Sequence, residues 1–319
     1  MHLWVRADGS AAIGLGHLMR STALLEAAEE HDLSATLVTV KNPASVRHVR
    51  RYGLAHRFTE CPADLEWMSA VRAGDLVVVD HYGAEPEELQ ASRRVGAAVL
   101  MIDDFGGSTA ADVILRPSPV GIAATDDGGA VLLTGPKYAL IRREFRAARA
   151  SVPHRGAHLL VTMGGSDVAH LTQPLLEAAT QSGTFPKVHA LLGPEASAVV
   201  APQGTTLIID PPDVAAVLSV AGAAVSAAGS TTWELLCLGT PTALIVVADN
   251  QIPVARTAID AGAALDLGTA GDCISRLDDL FSALTDPREC ARLSLAGRDL
   301  VDGDGAHRVL QALAAVASG

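Results

Sequence analysis

The sequence predicts an α/β protein of two parallel-sheet domains, each covered by helices on both faces. Three observations carry this expectation. Short apolar, β-branched runs alternate with helical patterns along the chain. The alternation restarts after an Arg- and Ala-rich stretch between about Tyr138 and Gly156. The 319 residues, 49% of them hydrophobic, suffice for two cores of ordinary domain size.

The elements follow in order. "LWVRA" (3–7) reads as a strand, and "HLMRSTALLEAAEEH" (17–31) as a helix with Leu18, Leu24, Leu25 and Ala28 near one face. "SATLVTV" (34–40) and "DLVVVDH" (75–81) are strands. The second is almost continuously apolar, as expected of a parallel strand covered on both sides. "EPEELQASRRVG" (85–96) is a helix, "AAVLMIDD" (97–104) a strand and "DVILRPS" (112–118) a shorter one. In the second half, "HLLVTM" (158–163), "KVHALLG" (187–193), "TTLIID" (205–210), "AAVSAA" (223–228) and "PTALIVVA" (241–248) read as strands. Helices are expected at 169–183, where Pro174 starts or kinks the helix, and at 213–222, 231–239 and 250–262. The expected division is residues 1–145 and 146–319.

Charge and cysteine content narrow the function classes. A formal net charge of −12 argues against a nucleic-acid partner, and the low aromatic content (3%) disfavours a base-stacking platform. An anionic small ligand stays possible, because backbone amides and helix N-termini bind phosphate without net positive charge. The four cysteines (Cys61, Cys237, Cys273 and Cys290) have no CxxC spacing and read as reduced thiols. No apolar run approaches the ~20 residues of a membrane span, and the N-terminus lacks a signal-peptide pattern. A soluble, cytoplasmic protein is expected.

Five polar or glycine-rich stretches follow expected strands: "ADGSAAIGLGH" (7–17), "DHYG" (80–83), "MGGSD" (163–167), "SAAGSTTWE" (226–234) and "ADNQ" (248–251). In parallel α/β folds ligands bind at the carboxyl ends of strands, and between two such domains a cleft is the default site. In "AAGSTTWE", Gly229 permits close backbone approach, and Ser230, Thr231 and Thr232 lead a helix whose N-terminus favours an anion. Ser230 is equally an ordinary N-cap. Glu234 could reach a ribose hydroxyl or serve as a capping-box carboxylate. "MGGSD" offers Gly164, Gly165 and Ser166 in a flexible loop, or simply a tight turn with Asp167 as cap. Neither loop is a Walker motif, and "IGLGH", with Gly14 and Gly16, lacks the third glycine of a dinucleotide fingerprint.

His17 stands at a helix start, where positive charge is disfavoured and a neutral, basic ring is favoured. It suits a general base or a structural histidine, and Asp8 is the nearby candidate to orient it. Asp103 and Asp104 are adjacent on a strand end and point in opposite directions, so they read as loop anchors. Asn250 and Gln251 could hydrogen-bond a sugar or a water, or cap their loop.

The ordered set "RADGSAAIGLGHLMR", "DHYG", "IDD", "GPKYALIRREF", "MGGSD", "AAGSTTWELLCLGTP", "ADNQ" and "DGDGAHRV" resembles a known family. It is similar to the nucleotide-sugar hydrolase of bacterial pseudaminic acid synthesis (UDP-2,4-diacetamido-2,4,6-trideoxy-β-L-altropyranose hydrolase) and to related spore-coat polysaccharide proteins. The resemblance implies the GT-B fold, two Rossmann-like domains facing a cleft. It implies a nucleotide, uracil-based, held mainly by the C-terminal domain, with "GSTTWE" on the diphosphate and Glu234 on the ribose. It implies His17 as the base for water attack at the anomeric carbon with inversion, helped by Tyr82 and Asn250, with no metal or cofactor. One stretch departs from the family: "RPSPVGIAA" (116–124) replaces an amide-containing run near the expected sugar pocket, which bears on the sugar's identity. Competing expectations are a glycosyltransferase with the same donor and a non-enzymatic nucleotide-sugar binder. The sequence leaves the oligomeric state open.

Overall fold

Buried apolar strands alternating with half-buried helices build two separate parallel sheets. The computed structural model describes residues 1–318 apart from 11–12, 81–85, 105–110, 119–128, 152–154, 166 and 195–198; of residues 86–88 it describes the backbone alone. The chain divides into two compact units. One comprises Met1–Arg143 with Gly303–Gly319, the other Glu144–Asp302.

The first unit holds β1 (Leu3–Ala7), α1 (Gly16–Glu30), β2 (Ala35–Val40), α2 (Pro43–Tyr52), β3 (His56–Thr59), β4 (Leu76–Asp80), α3 (Pro86–Arg94), β5 (Ala98–Ile102), β6 (Val113–Arg116) and β7 (Val131–Thr134). Among the described residues its seven strands run in the order β3-β2-β1-β4-β5-β6-β7, every neighbouring pair parallel. The order reverses between β1 and β4. The carboxyl ends of the strands at such a reversal are the position where doubly wound sheets hold ligands.

α4 (Arg143–Ala150) leads into the second unit. This unit holds β8 (His158–Thr162), α5 (Thr172–Ser182), β9 (Lys187–Leu192), β10 (Thr205–Ile209), α6 (Val214–Ser219), β11 (Ala223–Ala227), α7 (Thr231–Leu238), β12 (Thr242–Val246), α8 (Ile252–Asp260), β13 (Leu265–Thr269), α9 (Leu277–Thr285) and α10 (Pro287–Leu300). Its sheet order is β10-β9-β8-β11-β12-β13, again parallel, with the reversal between β8 and β11. Pro174 lies in the first turn of α5, where its missing N–H costs no helical bond.

The final helix, α11 (Gly305–Ser318), returns to the first unit. It buries Val309, Leu310 and Leu313 in the core formed by Leu3, Val5, Leu18, Leu24 and Leu100. The sequence reading carried the second domain to residue 319; the structure places these last residues with the first. The reason is an apolar helix face that matches the first core, and a glycine: a Cβ on Gly305 would lie 2.1 Å from the Ala139 carbonyl oxygen. Cys61, Cys237, Cys273 and Cys290 are all free thiols. Among the described residues no helix is long and apolar enough to cross a membrane.

The contact of α1 with α2 contains a buried titratable group. His48 Nε2 meets the Thr22 hydroxyl at 2.8 Å, and that hydroxyl donates to the Leu18 carbonyl, so the ring supplies the proton of the first bond. Burial, then the Arg142 and Arg51 cations, push the His48 ring down to about 4. Its folded value lies below its unfolded one, so the neutral ring stabilises fully above about pH 6.5. That contribution, roughly 3 kcal/mol, is lost as pH falls from about 6.5 toward 4. Urea unfolding at a series of pH values should show stability falling through this window, with a shallower slope in His48→Asn.

Candidate active site

Within the first unit, polar groups converge at the carboxyl ends of β1, β4 and β5. Ala7 and Asp80 end neighbouring strands in register. After β1 the chain turns through a loop closed by reciprocal bonds between Ser10 and Gly14, from Ser10 N–H to the Gly14 carbonyl (3.1 Å) and from Gly14 N–H to the Ser10 carbonyl (2.9 Å). Gly14 has φ +80°, a left-handed conformation that favours glycine. Gly16 opens α1 with no side-chain cap, which puts His17 in the first turn.

His17 Nδ1 lies 2.7 Å from Asp80 Oδ1. His17 is 6% exposed and Asp80 0%. Arg20, one turn further along α1, donates from Nε to Asp80 Oδ2 (2.8 Å) and from Nη2 to Asp80 Oδ1. Its other edge donates to both Asp104 oxygens, at 2.9 and 2.8 Å. Burial alone would raise the Asp80 carboxyl, but the Arg20 guanidinium and His17 ring hold it well below the usual carboxylate range. Asp80 is therefore an anion and can only accept. At 2.7 Å the proton must sit on His17 Nδ1, which leaves the lone pair of the neutral ring on Nε2. Arg20 Nη2 also approaches His17 Nδ1, at 3.1 Å.

This corrects the choice of Asp8 as the orienting residue. The Asp8 carboxylate takes a two-pronged bond from buried Arg6 (2.6 and 2.8 Å) and accepts from Val40 N–H. Asp103 and Asp104 do point apart: Asp103 Oδ2 accepts from Arg116 Nε (3.0 Å) and Nη2 (2.8 Å), while Asp104 meets Arg20. Asp80, Arg20 and Asp104 were not assigned to His17 by sequence reasoning. The available signal was that an Asp ends an otherwise apolar strand and an Arg follows His17 at helical i,i+3 spacing.

In the second unit, the loops after β8, β11 and β12 lie at and beside the sheet reversal. α7 starts at Thr231 behind Ser230, which is in helical conformation and makes no side-chain cap bond. The capping alternative for Ser230 is not realised. Thr232 Oγ1 is buried with no hydrogen-bond partner among the described residues. Glu234 is buried in the first turn of the same helix. A Cβ on Gly229 would meet only Gln251 Nε2, at 4.0 Å, so the protein's own packing does not require glycine there. Gln251 Oε1 accepts from Val247 N–H (3.1 Å), which ties the loop bearing Asn250 and Gln251 back to β12.

The "MGGSD" loop is built differently. Asp167 caps α5, its carboxylate accepting from Leu171 N–H and Thr172 N–H, both at 3.0 Å. This helix end is thus occupied by the protein's own carboxylate. Gly164 has φ +79°, and Gly165 lies so close to Gly193 that a Cβ on Gly193 would sit 1.9 Å from the Gly165 oxygen. Tyr82 and Ser166 lie outside the described residues. The structure brings His17, Gly14 and Gly16 together in the first unit. Gly164 and Gly165 follow β8, and Gly229 to Thr232, Glu234, Asn250 and Gln251 group after β11 and β12 in the second.

No family model matches the chain. The spore coat polysaccharide biosynthesis protein SpsG of Bacillus subtilis is 26% identical, over 97% of this chain and 96% of its own. The UDP-2,4-diacetamido-2,4,6-trideoxy-beta-L-altropyranose hydrolase of Campylobacter jejuni is 24% identical over 54% of this chain and 63% of its own. Among solved structures, MurG of Acinetobacter baumannii superposes with a TM-score of 0.67 at 17% identity, covering 98% of this chain and 99% of its own. A spinosyn rhamnosyltransferase, SpnG, complexed with thymidine diphosphate, reaches 0.65 at 16% identity, over 98% and 100%. The chain is thus similar in sequence to SpsG and to the Campylobacter hydrolase, and its fold is GT-B. The GT-B description covers both units, each a Rossmann-like parallel sheet.

The two glycines of the second unit lead to opposite expectations. Gly193→Ala forces a backbone shift against Gly165 and should destabilise by roughly 1–3 kcal/mol. Gly229→Ala meets open space and should stay within about 0.5 kcal/mol of the parent. Urea unfolding of both variants checks this.

Proposed function

We propose that the protein hydrolyses a nucleotide-activated amino or deoxy sugar, UDP-linked by expectation, with inversion at the anomeric carbon. The observation that carries this reading is the contact of His17 Nδ1 with ionised Asp80 at the β1/β4 reversal. It supplies a base nitrogen, Nε2, of defined tautomer on a rigid helix start. Nε2 accepts a proton from water as the water oxygen forms its bond to the anomeric carbon. The anomeric C–O bond breaks on the opposite side, and its electron pair leaves with the nucleoside diphosphate. Asp80 stabilises the imidazolium that results.

In this reading the second unit binds the nucleotide. The amides at the start of α7, next to Gly229, Ser230, Thr231 and Thr232, hold the diphosphate and stabilise its growing charge. Glu234 takes the ribose. Gly14 and Gly16 let the first-unit loop pass beneath the sugar and pyrophosphate, Gly164, Gly165 and Ser166 line the nucleotide, and Tyr82, Asn250 and Gln251 act at the sugar and the water. Diphosphate is a good leaving group, so a single base suffices and no metal or cofactor enters the scheme. The reaction is placed in the cytoplasm. The similarity to SpsG and to the Campylobacter hydrolase supports the reading.

A glycosyltransferase is the second reading, favoured by the fold similarity to MurG and SpnG. There an acceptor hydroxyl replaces water at the same base. Incubation with a panel of UDP-, GDP-, CMP- and dTDP-sugars separates the two. Free reducing sugar and nucleoside diphosphate without acceptor support hydrolysis; turnover only with an acceptor supports transfer. With a substrate in hand, His17→Ala and Asp80→Asn should each lower kcat by about 10²- to 10⁴-fold. Full turnover by His17→Ala would refute the base assignment.

A further inference from the structure

The carboxylate behind His17 is itself held, and the way it is held has a functional reading. Asp80 projects from a strand end into a fully buried position. Both of its oxygens accept from Arg20, through Nε and Nη2, so the carboxylate plane is set by a planar fork. Arg20 cannot swing away, because its opposite edge is forked onto Asp104 at 2.9 and 2.8 Å. One guanidinium thus joins the end of β4 and the segment just after β5 to the first turns of α1.

We propose that Arg20, anchored by Asp104, is a positioning residue that fixes Asp80 against His17 Nδ1. The inference rests on the reading of His17 as the base and adds what keeps that base in one tautomer.

Charge explains why two carboxylates are present. Asp80, Asp104 and Arg20 carry one net negative charge beside a neutral ring. That charge is cancelled when the ring takes a proton, so the buried group passes from an anion to neutrality. With Asp80 and Arg20 alone it would pass from neutrality to a buried cation, which a low-dielectric site disfavours. Asp104 therefore offsets the opposition that Arg20 would otherwise present to proton uptake. Burial would lower the Arg20 guanidinium, but Asp104 and Asp80 hold it well above its usual value, so it stays charged throughout. A merely structural tie would not need the shared Nη2, whose two hydrogens go to Asp80 Oδ1 and Asp104 Oδ2.

The test uses full-length protein labelled with ¹⁵N-histidine, with the His17 ring signals assigned by their loss in His17→Gln. Long-range ¹H–¹⁵N spectra of the parent should show the proton on Nδ1. In Asp104→Asn and Arg20→Lys, the Nε2–H tautomer should gain population, so the two ring-nitrogen shifts move toward each other. With any panel sugar that is turned over, kcat should fall about tenfold while KM stays within about twofold. Asp104→Asn, the milder change at a partly exposed residue, decides the matter if Arg20→Lys does not fold. A folded Asp104→Asn that keeps the parent tautomer pattern overturns the proposal, even if its melting temperature falls. If instead His17→Gln turns over substrate at the parent rate, the base assignment fails, whatever the tautomer spectra show of the clamp.

Discussion

The first unit is organised around a carboxylate that has no access to water. Taking Asp80 out of solvent is costly, and an isolated buried carboxylate would protonate. It stays ionised because donors from His17, from two nitrogens of Arg20 and, at 3.5 Å, from the Ser21 hydroxyl reach its two oxygens. Removing one of those partners leaves a buried charge uncompensated, which is far worse than never having built the pair. The surrounding backbone is arranged to let the donors reach. Gly9 must lack a side chain because a Cβ there would sit 2.5 Å from the Leu18 side chain. Gly14 takes a left-handed turn, and the closed Ser10–Gly14 loop delivers His17 in the first helical turn over the end of β4. Sheet order supplies the rest, since β1 and β4 are neighbours only because the strand sequence reverses there.

The second unit uses two helix starts in opposite ways. α5 is completed by Asp167, whose carboxylate already occupies the amides at its end. α7 begins without a side-chain cap, its Thr232 and Trp233 amides donating to the Gly229 and Ser230 carbonyls at 3.1 Å, and with a buried Thr232 hydroxyl that has no partner among the described residues. A chain with net charge −12 cannot attract an anion through its overall field. Local amides and a helix dipole act at short range, where the net charge matters little. The contrast between α5 and α7 is therefore more informative than glycine content, which is similar in the two loops.

Much of the fold was legible because periodicity is a local property. β4 is a continuous buried run, and α1 and α7 carry their apolar residues through several turns, so these elements emerge within a residue or two of their observed ends. β3, with the sequence "HRFT", has only Thr59 fully buried, and an edge strand of four residues leaves little pattern to read. The placement of α11 was not legible either. Its apolar face says that it packs, but the choice of the first sheet depends on a contact between Gly305 and Ala139 that no window of sequence contains. The site divides the same way. His17 at a helix start was visible. Proximity in sequence points to Asp8, whereas the residue that reaches His17 is 63 positions away and is brought there by strand pairing.

The adjacent acids Asp103 and Asp104 link His17 to the stretch "RPSP", where the sequence departs from the family it resembles. Residues side by side at a strand end face opposite ways, and each here meets a different arginine. Asp104 holds Arg20 and, through it, Asp80. Asp103 holds Arg116, the first residue of "RPSP", at the end of β6. An arginine at such a buried position needs a carboxylate, and Asp103 is available because, of the two adjacent acids, it is Asp104 that meets Arg20. The departure at Arg116 can thus alter the lining at the end of β6 without drawing on the carboxylates that orient His17. On the proposed reading of His17 as the base, that separation permits a change of sugar without a change at His17.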